Sequence, residues 1–213
     1  MSPEPASIRG YRPADLDTLY RICLQTADNG SDATHLFSEP RLPGEIWMAP
    51  YAILEPEHAF VAEDADGVGG YIVGALNTSA FEQRQEREWW PRLRARYPEP
   101  SPEAHERLSE SDRFAIGNIH HPWLSRPGLT GRFPSHLHID LLPRLQGRGI
   151  GRSLIATLVS SLRDQGSCGL HLFVARGNER AVGFYRHLGF SKIPADDALI
   201  FALNFGDLPA ALR

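Results

Sequence analysis

Pro143-Arg144-Leu145-Gln146-Gly147-Arg148-Gly149-Ile150-Gly151-Arg152-Ser153 stands between two segments of different periodicity. Before it, Leu137, Ile139 and Leu141 alternate with His136, His138 and Asp140, the period-two pattern of a strand with one apolar face. After it, Ile150, Leu154, Ile155, Leu158, Val159 and Leu162 line one face of a helix. Glycines at a strand-to-helix turn let backbone N–H groups approach an anion closely, and the helix N-terminus adds partial positive charge. With Arg148 and Arg152 beside it, the turn predicts a pyrophosphate site.

Two familiar phosphate-binding patterns do not fit. A P-loop needs lysine after the last glycine, where Arg152 stands. A dinucleotide fingerprint needs a small residue at position 152 and normally lies in an opening βαβ unit. A Gln-x-x-Gly-x-Gly turn remains, against the plainer reading of a helix start that is merely rich in glycine.

Working outward, Leu170, Leu172 and Val174 predict the next strand, Ala181, Phe184, Tyr185 and Leu188 a second helix, and residues 200–203 a last strand. Towards the N-terminus, residues 8–12 read as a short strand. Pro13 then opens a helix whose stripe is Leu16, Leu19, Tyr20 and Cys23. A polar loop spans 26–43, a short helix 45–51, and a hairpin joins strands 59–62 and 70–76 through Asp64-Ala65-Asp66-Gly67. Residues 81–97 read as a helix interrupted at Pro91. Residues 98–134, rich in Pro, Gly and Ser, read as an irregular segment. The order predicts an α/β fold, a mixed central sheet in a single domain over 1–213, with a lid or insertion at about 81–134.

A chain of 213 residues with 42% hydrophobic and 23% charged residues is long and apolar enough for a core without staples. Net charge −4 argues against generic nucleic-acid binding. Arg84, Arg87, Arg92, Arg94 and Arg96 with Trp89 and Trp90 could suggest such a face. Glu82, Glu86 and Glu88 are interleaved, however, and favour a solvated amphipathic helix. No apolar run of membrane-spanning length occurs, and the first residues lack the features of a secretion signal. With two cysteines, Cys23 and Cys168, expected to be buried thiols, the chain reads as cytoplasmic, with no nucleic-acid or membrane partner.

The Gln146–Gly151 turn resembles the coenzyme A pyrophosphate loop of the GNAT acetyltransferase superfamily. Ile8-Arg9-Gly10-Tyr11-Arg12-Pro13 looks like that family's first strand and helix. Asn178-Glu179-Arg180-Ala181-Val182-Gly183-Phe184-Tyr185 with Gly189-Phe190 is similar to its Asn-x-x-Ala-x-x-Phe-Tyr-x-x-x-Gly-Phe signature. The residues 135–143 and the 27–34 loop resemble, within the superfamily, the acetyltransferase-like domain at the C-terminus of eukaryotic O-GlcNAcases and its free-standing bacterial relatives. That eukaryotic domain is regarded as lacking a working acetyl-CoA site, whereas Gln146, Gly149 and Gly151 are intact here.

The resemblance implies acetyl-CoA as cofactor and a small-molecule or peptide amine as acceptor, and leaves a homodimer open. It implies two parallel strands that splay apart, with pantetheine pairing to backbone near Leu141 and Leu142. Gln146, Gly147, Arg148, Gly149, Ile150, Gly151, Arg152 and Ser153 would hold the pyrophosphate. Asn178, Ala181, Phe184 and Tyr185 would lie along the other wall. Asn178 also has an N-cap role open to it. Tyr185 would protonate or orient the leaving thiolate, or be a core aromatic only.

His136, His138 and Asp140 share a strand face, where a histidine could take the amine's proton and Asp140 orient it. A polar patch without catalytic duty fits the same pattern. No metal is expected, although histidines recur at His120-His121. Asp28 and Asp32 in the early loop, with His120 and His121 in the 98–134 segment, are the candidate acceptor contacts. That segment is expected to fold over the acceptor and set substrate choice. The function so implied is acetyl transfer to a primary amine; the alternative is a pseudo-acetyltransferase that keeps the fold without turnover.

Overall fold

The computed structural model describes residues 6–195 and 198–212. Its strands are β1 (Ser7–Gly10), β2 (Ala59–Asp64), β3 (Gly67–Ala75), β4 (Ser135–Leu141), β5 (Gly169–Val174), β6 (Ser191–Ile193) and β7 (Leu199–Asn204). They form one sheet in the order β1-β2-β3-β4-β5-β7-β6, antiparallel throughout except between β4 and β5. The helices are α1 (Leu16–Leu24), α2 (Leu42–Trp47), α3 (Ala49–Leu54), α4 (Thr78–Glu88), α5 (Trp90–Arg96), α6 (Pro102–Arg107), α7 (Glu110–His120), α8 (Pro127–Thr130), α9 (Ile150–Asp164) and α10 (Glu179–His187).

Period-two alternation along the strands divides the core in two. On the front face, Val61, Tyr71, Val73 and Ala75 meet Leu19, Ile22 and Cys23 of α1, Ile46 of α2, Phe81 of α4 and Leu93 of α5. On the back face, Ile72, Leu137, Leu170 and Leu172 meet Leu154, Ile155, Leu158 and Leu162, the stripe of α9. The crossover from β4 through α9 to β5 therefore lies wholly on the back, and the front of β4 faces the helices that precede it.

The mixed sheet and the motif helices match the sequence reading. Three local expectations do not. The helix expected at 45–51 is two, α2 and α3, because Pro50 stands in the first turn of a new helix after Met48. Residues 98–134 are not irregular. Ser101 and Ser109 accept from the N–H groups of Ala104 and Asp112 as N-caps of α6 and α7. Helix α7 then buries Ala115 and Ile119 in the front core, and Asp112 accepts from Ser38 N. Most of this segment is thus part of the wall rather than a cover. Cys23 is buried as expected, but Cys168 is exposed. The three-residue edge strand β6 had no pattern to read.

The arginine-rich stretch is resolved in favour of the amphipathic helix. Trp89 and Trp90 are core residues, and Trp89 Nε1 donates to Glu45 O at 2.8 Å. Arg84 pairs with Glu88, Arg94 with Glu86, and Arg92 with the buried Glu45. Among the described residues, no helix is long and apolar enough to cross a membrane.

Three histidines, His58, His136 and His171, are packed into this structure with their pKa values lowered by loss of solvation; that of His136 falls to about 3. The folded state then binds fewer protons than the unfolded state below the ordinary value of 6.5. Stability is complete above that pH and is lost as pH falls towards 3. For His136 the slope is about 1.4 kcal/mol per pH unit. Denaturant titrations at pH 7, 6, 5 and 4 are expected to show progressive loss, flattened in His136→Gln. A stability independent of pH over that range would contradict neutral burial.

Candidate active site

The ladder between β4 and β5 begins and stops early: Ser135 pairs with Leu170 and His136 with His171, and no further pair forms. Beyond that point β4 stays with β3 through Leu141, while β5 stays with β7 through Val174. The two central strands therefore diverge towards their C-terminal ends and leave a gap. Leu142 N donates to Gly69 O at 2.8 Å, so Leu142 is bonded towards β3. By antiparallel alternation, the N–H and C=O of Leu141 and Ile139 point the other way, into the gap. The N–H of Leu141 is thus the open backbone group at this strand end; the amide of Leu142, expected to share that role, is already used.

The Gln146–Arg152 turn closes the far end of the gap. Gly147 and Gly149 have φ of 71° and 79°, the left-handed region that glycine enters without steric cost. Gly149 is the N-cap of α9 and offers no side chain, so the helix start has no internal cap. Among the described residues no backbone carbonyl accepts from the N–H groups of Gly147, Gly149, Ile150, Gly151 or Arg152. A β-carbon at Gly149 would meet only Arg152 Nη2, at 3.9 Å. Open amides, a helix N-terminus and empty space beside them fit a pyrophosphate. Ser153 is placed one turn in, its N–H bonded to Gly149 O.

Gln146 fastens the turn to the strand. Its Nε2 donates to Leu141 O at 2.6 Å, and its Oε1 accepts from Arg180 of α10. Arg148 and Arg144 both lie against Asp64 of β2, at 3.8 and 3.3 Å. On the opposite wall, Asn178 Oδ1 accepts from Ala181 N at 3.0 Å, so the N-cap role is filled and the Nδ2 side is left for a ligand. Phe184 reaches across α10: a β-carbon at Gly151 would meet its ring at 3.0 Å and Leu141 at 3.3 Å. Strand end, turn and α10 therefore converge there.

Tyr185 is buried against Phe184, Phe190 and Phe201. Burial, and secondarily the Asp140 charge, raises its pKa, so the phenol keeps its proton. Both the core-aromatic reading and the donor reading use this placement.

On the front face, the three polar residues of β4 separate into different environments. His136 is held from both sides, Nε2 by Tyr51 Oη at 2.7 Å and Nδ1 by Thr78 Oγ1 at 2.8 Å. Its lowered pKa and occupied nitrogens leave it no capacity to take a proton near neutral pH. The expectation that it could be a base is corrected to a structural one. His138 differs: Nε2 lies 3.0 Å from Asp140 Oδ2, the side chain is 32% exposed, and Nδ1 has no protein partner among the described residues. Asp140 Oδ2 also accepts from Tyr71 Oη at 2.5 Å. Tyr71 is fully buried and its pKa is raised by desolvation and by Asp140, so it remains a donor. The resulting chain is Tyr71, Asp140, His138, then solvent.

Sequence reading missed Tyr71 in that chain; its signal was one hydroxyl in the otherwise apolar run of β3. Cys23 comes within 4.8 Å of His138 and Asp140 through its sulfur, and burial raises its pKa, keeping it a thiol.

The candidate acceptor contacts divide. Asp32 lines an open recess of about 410 Å³ with Gln25, Ser31, Leu142, Pro143 and Arg144, beside the end of β4. Its Oδ1 accepts from Thr34 N and Oγ1, which lowers its pKa. Asp28 is bridged to Ser31 within the same loop. His120 and His121 are turned elsewhere: His120 Nε2 meets Tyr97 O at 2.8 Å, and His121 lies 3.4 Å from Glu99. Both close the end of α7 against residues 97–99, and their expected acceptor role is not supported.

Comparison with known proteins accords with this geometry. The Acetyltransferase (GNAT) family profile matches residues 24–190. The chain is 28% identical over 187 residues to the protein O-GlcNAcase of Rattus norvegicus, covering 88% of this chain and 20% of that protein. It is 26% identical to the mycothiol acetyltransferase of Kocuria rhizophila, covering 84% of this chain and 57% of that one. This chain thus spans only a fifth and rather over half of the two relatives' lengths. The crystal structure of SsHAT superposes with a TM-score of 0.85 at 35% identity, over 93% of this chain and 98% of that one. A phosphinothricin acetyltransferase of Sinorhizobium meliloti, solved in complex with AcCoA, shares the fold at TM-score 0.55 and 17% identity, over 93% and 88% of the two chains. A match over residues 24–190, most of the chain, leaves one assignment: the chain belongs to the Acetyltransferase (GNAT) family.

Proposed function

We propose that the protein transfers the acetyl group of acetyl-CoA to a primary amine, directly and without a covalent enzyme intermediate. The observation that carries this reading is the early end of the β4–β5 ladder beside a turn of unused amides. Bound there, acetyl-CoA would supply the thioester whose acetyl group is transferred and whose thiolate leaves. The turn from Gly147 to Arg152 binds phosphate, while Leu141, Asn178, Ala181 and Phe184 border the gap. Acetyl-CoA in the solved S. meliloti relative supports the choice of ligand.

The acceptor approaches from the front, past Asp32. His138 Nδ1 takes the proton of the ammonium, because Asp140 occupies Nε2 and so fixes the tautomer that leaves Nδ1 a lone pair. Tyr71 fixes Asp140 in turn. The Leu141 N–H stabilises charge developing on the carbonyl oxygen. Tyr185 donates a proton to the departing sulfur and recovers it from solvent. Tyr185→Phe is therefore expected to slow kcat by about 10²–10⁴-fold with acetyl-CoA affinity near wild type. Unchanged kcat would return Tyr185 to a packing role.

The reading is tested by assaying a panel of primary amines for free-thiol release from acetyl-CoA. Release that depends on the amine, with one N-acetylated product per thiol, is the expected result. Tight acetyl-CoA binding with no amine-dependent release from any of the panel would favour a module that binds without turnover.

A further inference from the structure

Large apolar side chains are seldom left in water together without a use. Trp123 is 55% exposed, Leu124 66% and Phe173 40%, and they are neighbours. With Leu129 and Ile200 they line a recess of about 160 Å³, whose wall includes Trp123 and Phe173 in edge-to-face contact at 5.3 Å. A cavity of about 150 Å³ is known to accept benzene, so this recess has the size of one six-membered ring.

Its position matters as much as its size. His136 and His171 are register partners on the front face, with rings 5.7 Å apart. Phe173 follows His171 by two residues and His138 follows His136 by two, so both keep that front face as their strands diverge. The gap is thus flanked by the proton-accepting His138 on the β4 side and by the aromatic pair on the β5 side. Trp123 comes from residues 123–126, the loop before α8 that lines the recess, and Phe173 comes from β5 itself. Nothing in the back-face cofactor wall touches the recess, so its occupant belongs to the acceptor.

We propose that the acceptor is an arylalkylamine: a primary amine on a short chain ending in one aromatic ring, the ring seated in the recess against Trp123 and Phe173. This rests on the amine-acetylation reading and narrows its substrate class. Burying one phenyl-sized group raises kcat/KM by roughly 10- to 100-fold over an amine without it. A basic amine also gains from the faces of Trp and Phe.

The experiment compares benzylamine, 2-phenylethylamine, 3-phenylpropylamine and tryptamine with ethylamine and propylamine, in wild type, Trp123→Ala and Phe173→Ala. At least one aryl amine is expected to exceed the alkyl amines by about 10-fold or more in kcat/KM. Both substitutions should erase that advantage through KM, with kcat and the alkyl-amine values within about twofold of wild type. Equal use of aryl and alkyl amines, or equal loss for both in the variants, overturns the proposal while leaving amine acetylation intact. If no amine releases thiol, the acetylation reading fails, and calorimetry with 2-phenylethylamine decides the recess alone. Saturable heat lost in Phe173→Ala supports it; no heat overturns it. A wild-type dimer that Trp123→Ala converts to monomer would instead make the patch a self-interface and overturn the proposal.

Discussion

His138→Gln is expected to lower kcat for any proven amine by about 10²–10⁴-fold while leaving acetyl-CoA affinity within a factor of two or so. Glutamine keeps a polar side chain beside Asp140 but cannot take a proton. Asp140→Asn should lose most of the same activity. Its amide can no longer accept two hydrogen bonds at the same oxygen on the same terms, so both Tyr71 Oη and His138 Nε2 lose their charged anchor. Tyr71→Phe should act more weakly, because it loosens Asp140 without altering His138. His136→Gln, by contrast, should affect stability and its pH dependence more than the pH profile of the reaction. Steady-state rates at saturating acetyl-CoA check the series. Full activity in His138→Gln would reduce the β4 face to the polar patch that its sequence also allowed.

The second large effect concerns the turn. Gly149→Asp is expected to weaken acetyl-CoA binding by about 100-fold or more, measured by calorimetry. The substitution is well separated from the core: a β-carbon at Gly149 meets only Arg152, at 3.9 Å. The φ of 79° costs a non-glycine residue about 1–2 kcal/mol, so the protein folds with a modest loss of stability. The carboxylate, however, would stand over the amides of Ile150, Gly151 and Arg152, repel phosphate and compete for Arg152. Gly149→Ala carries the same backbone strain without the charge and should bind far better than the aspartate variant. Equal losses in the two would mean that turn geometry, rather than a phosphate at the amides, governs affinity.

The glycine-rich turn and the strand and helices around it were legible in the sequence because their signals are local. A glycine with positive φ, a period change from two to 3.6 and an Asn N-cap each leave a mark within a few residues. The polar cluster on the front of β4 was not, since it is assembled from distant segments. Tyr71, Asp140 and His138 come from two strands whose registry no single stretch reveals. His136 and His138 look alike in sequence and differ only because Tyr51 and Thr78, from other elements, occupy both nitrogens of His136. The segment at 98–134 was misread for a different reason. Its prolines and serines are helix starts, Ser101-Pro102 and Ser109, and the apolar stripe of α7 is short. Only residues 123–126 of the segment line the recess proposed for the acceptor.

Amide hydrogen exchange with and without acetyl-CoA tests the location of the cofactor most directly. Protection is expected in two separate stretches: the open amides at 147–152, and the gap-facing amides of Ile139 and Leu141. The amides of β1 and β2, on the far side of the sheet, should not change. In Gly149→Asp the same addition should leave both stretches unprotected. Protection confined to any other surface, or binding that protects neither the turn nor the β4 edge, would contradict a coenzyme A site in the gap between β4 and β5.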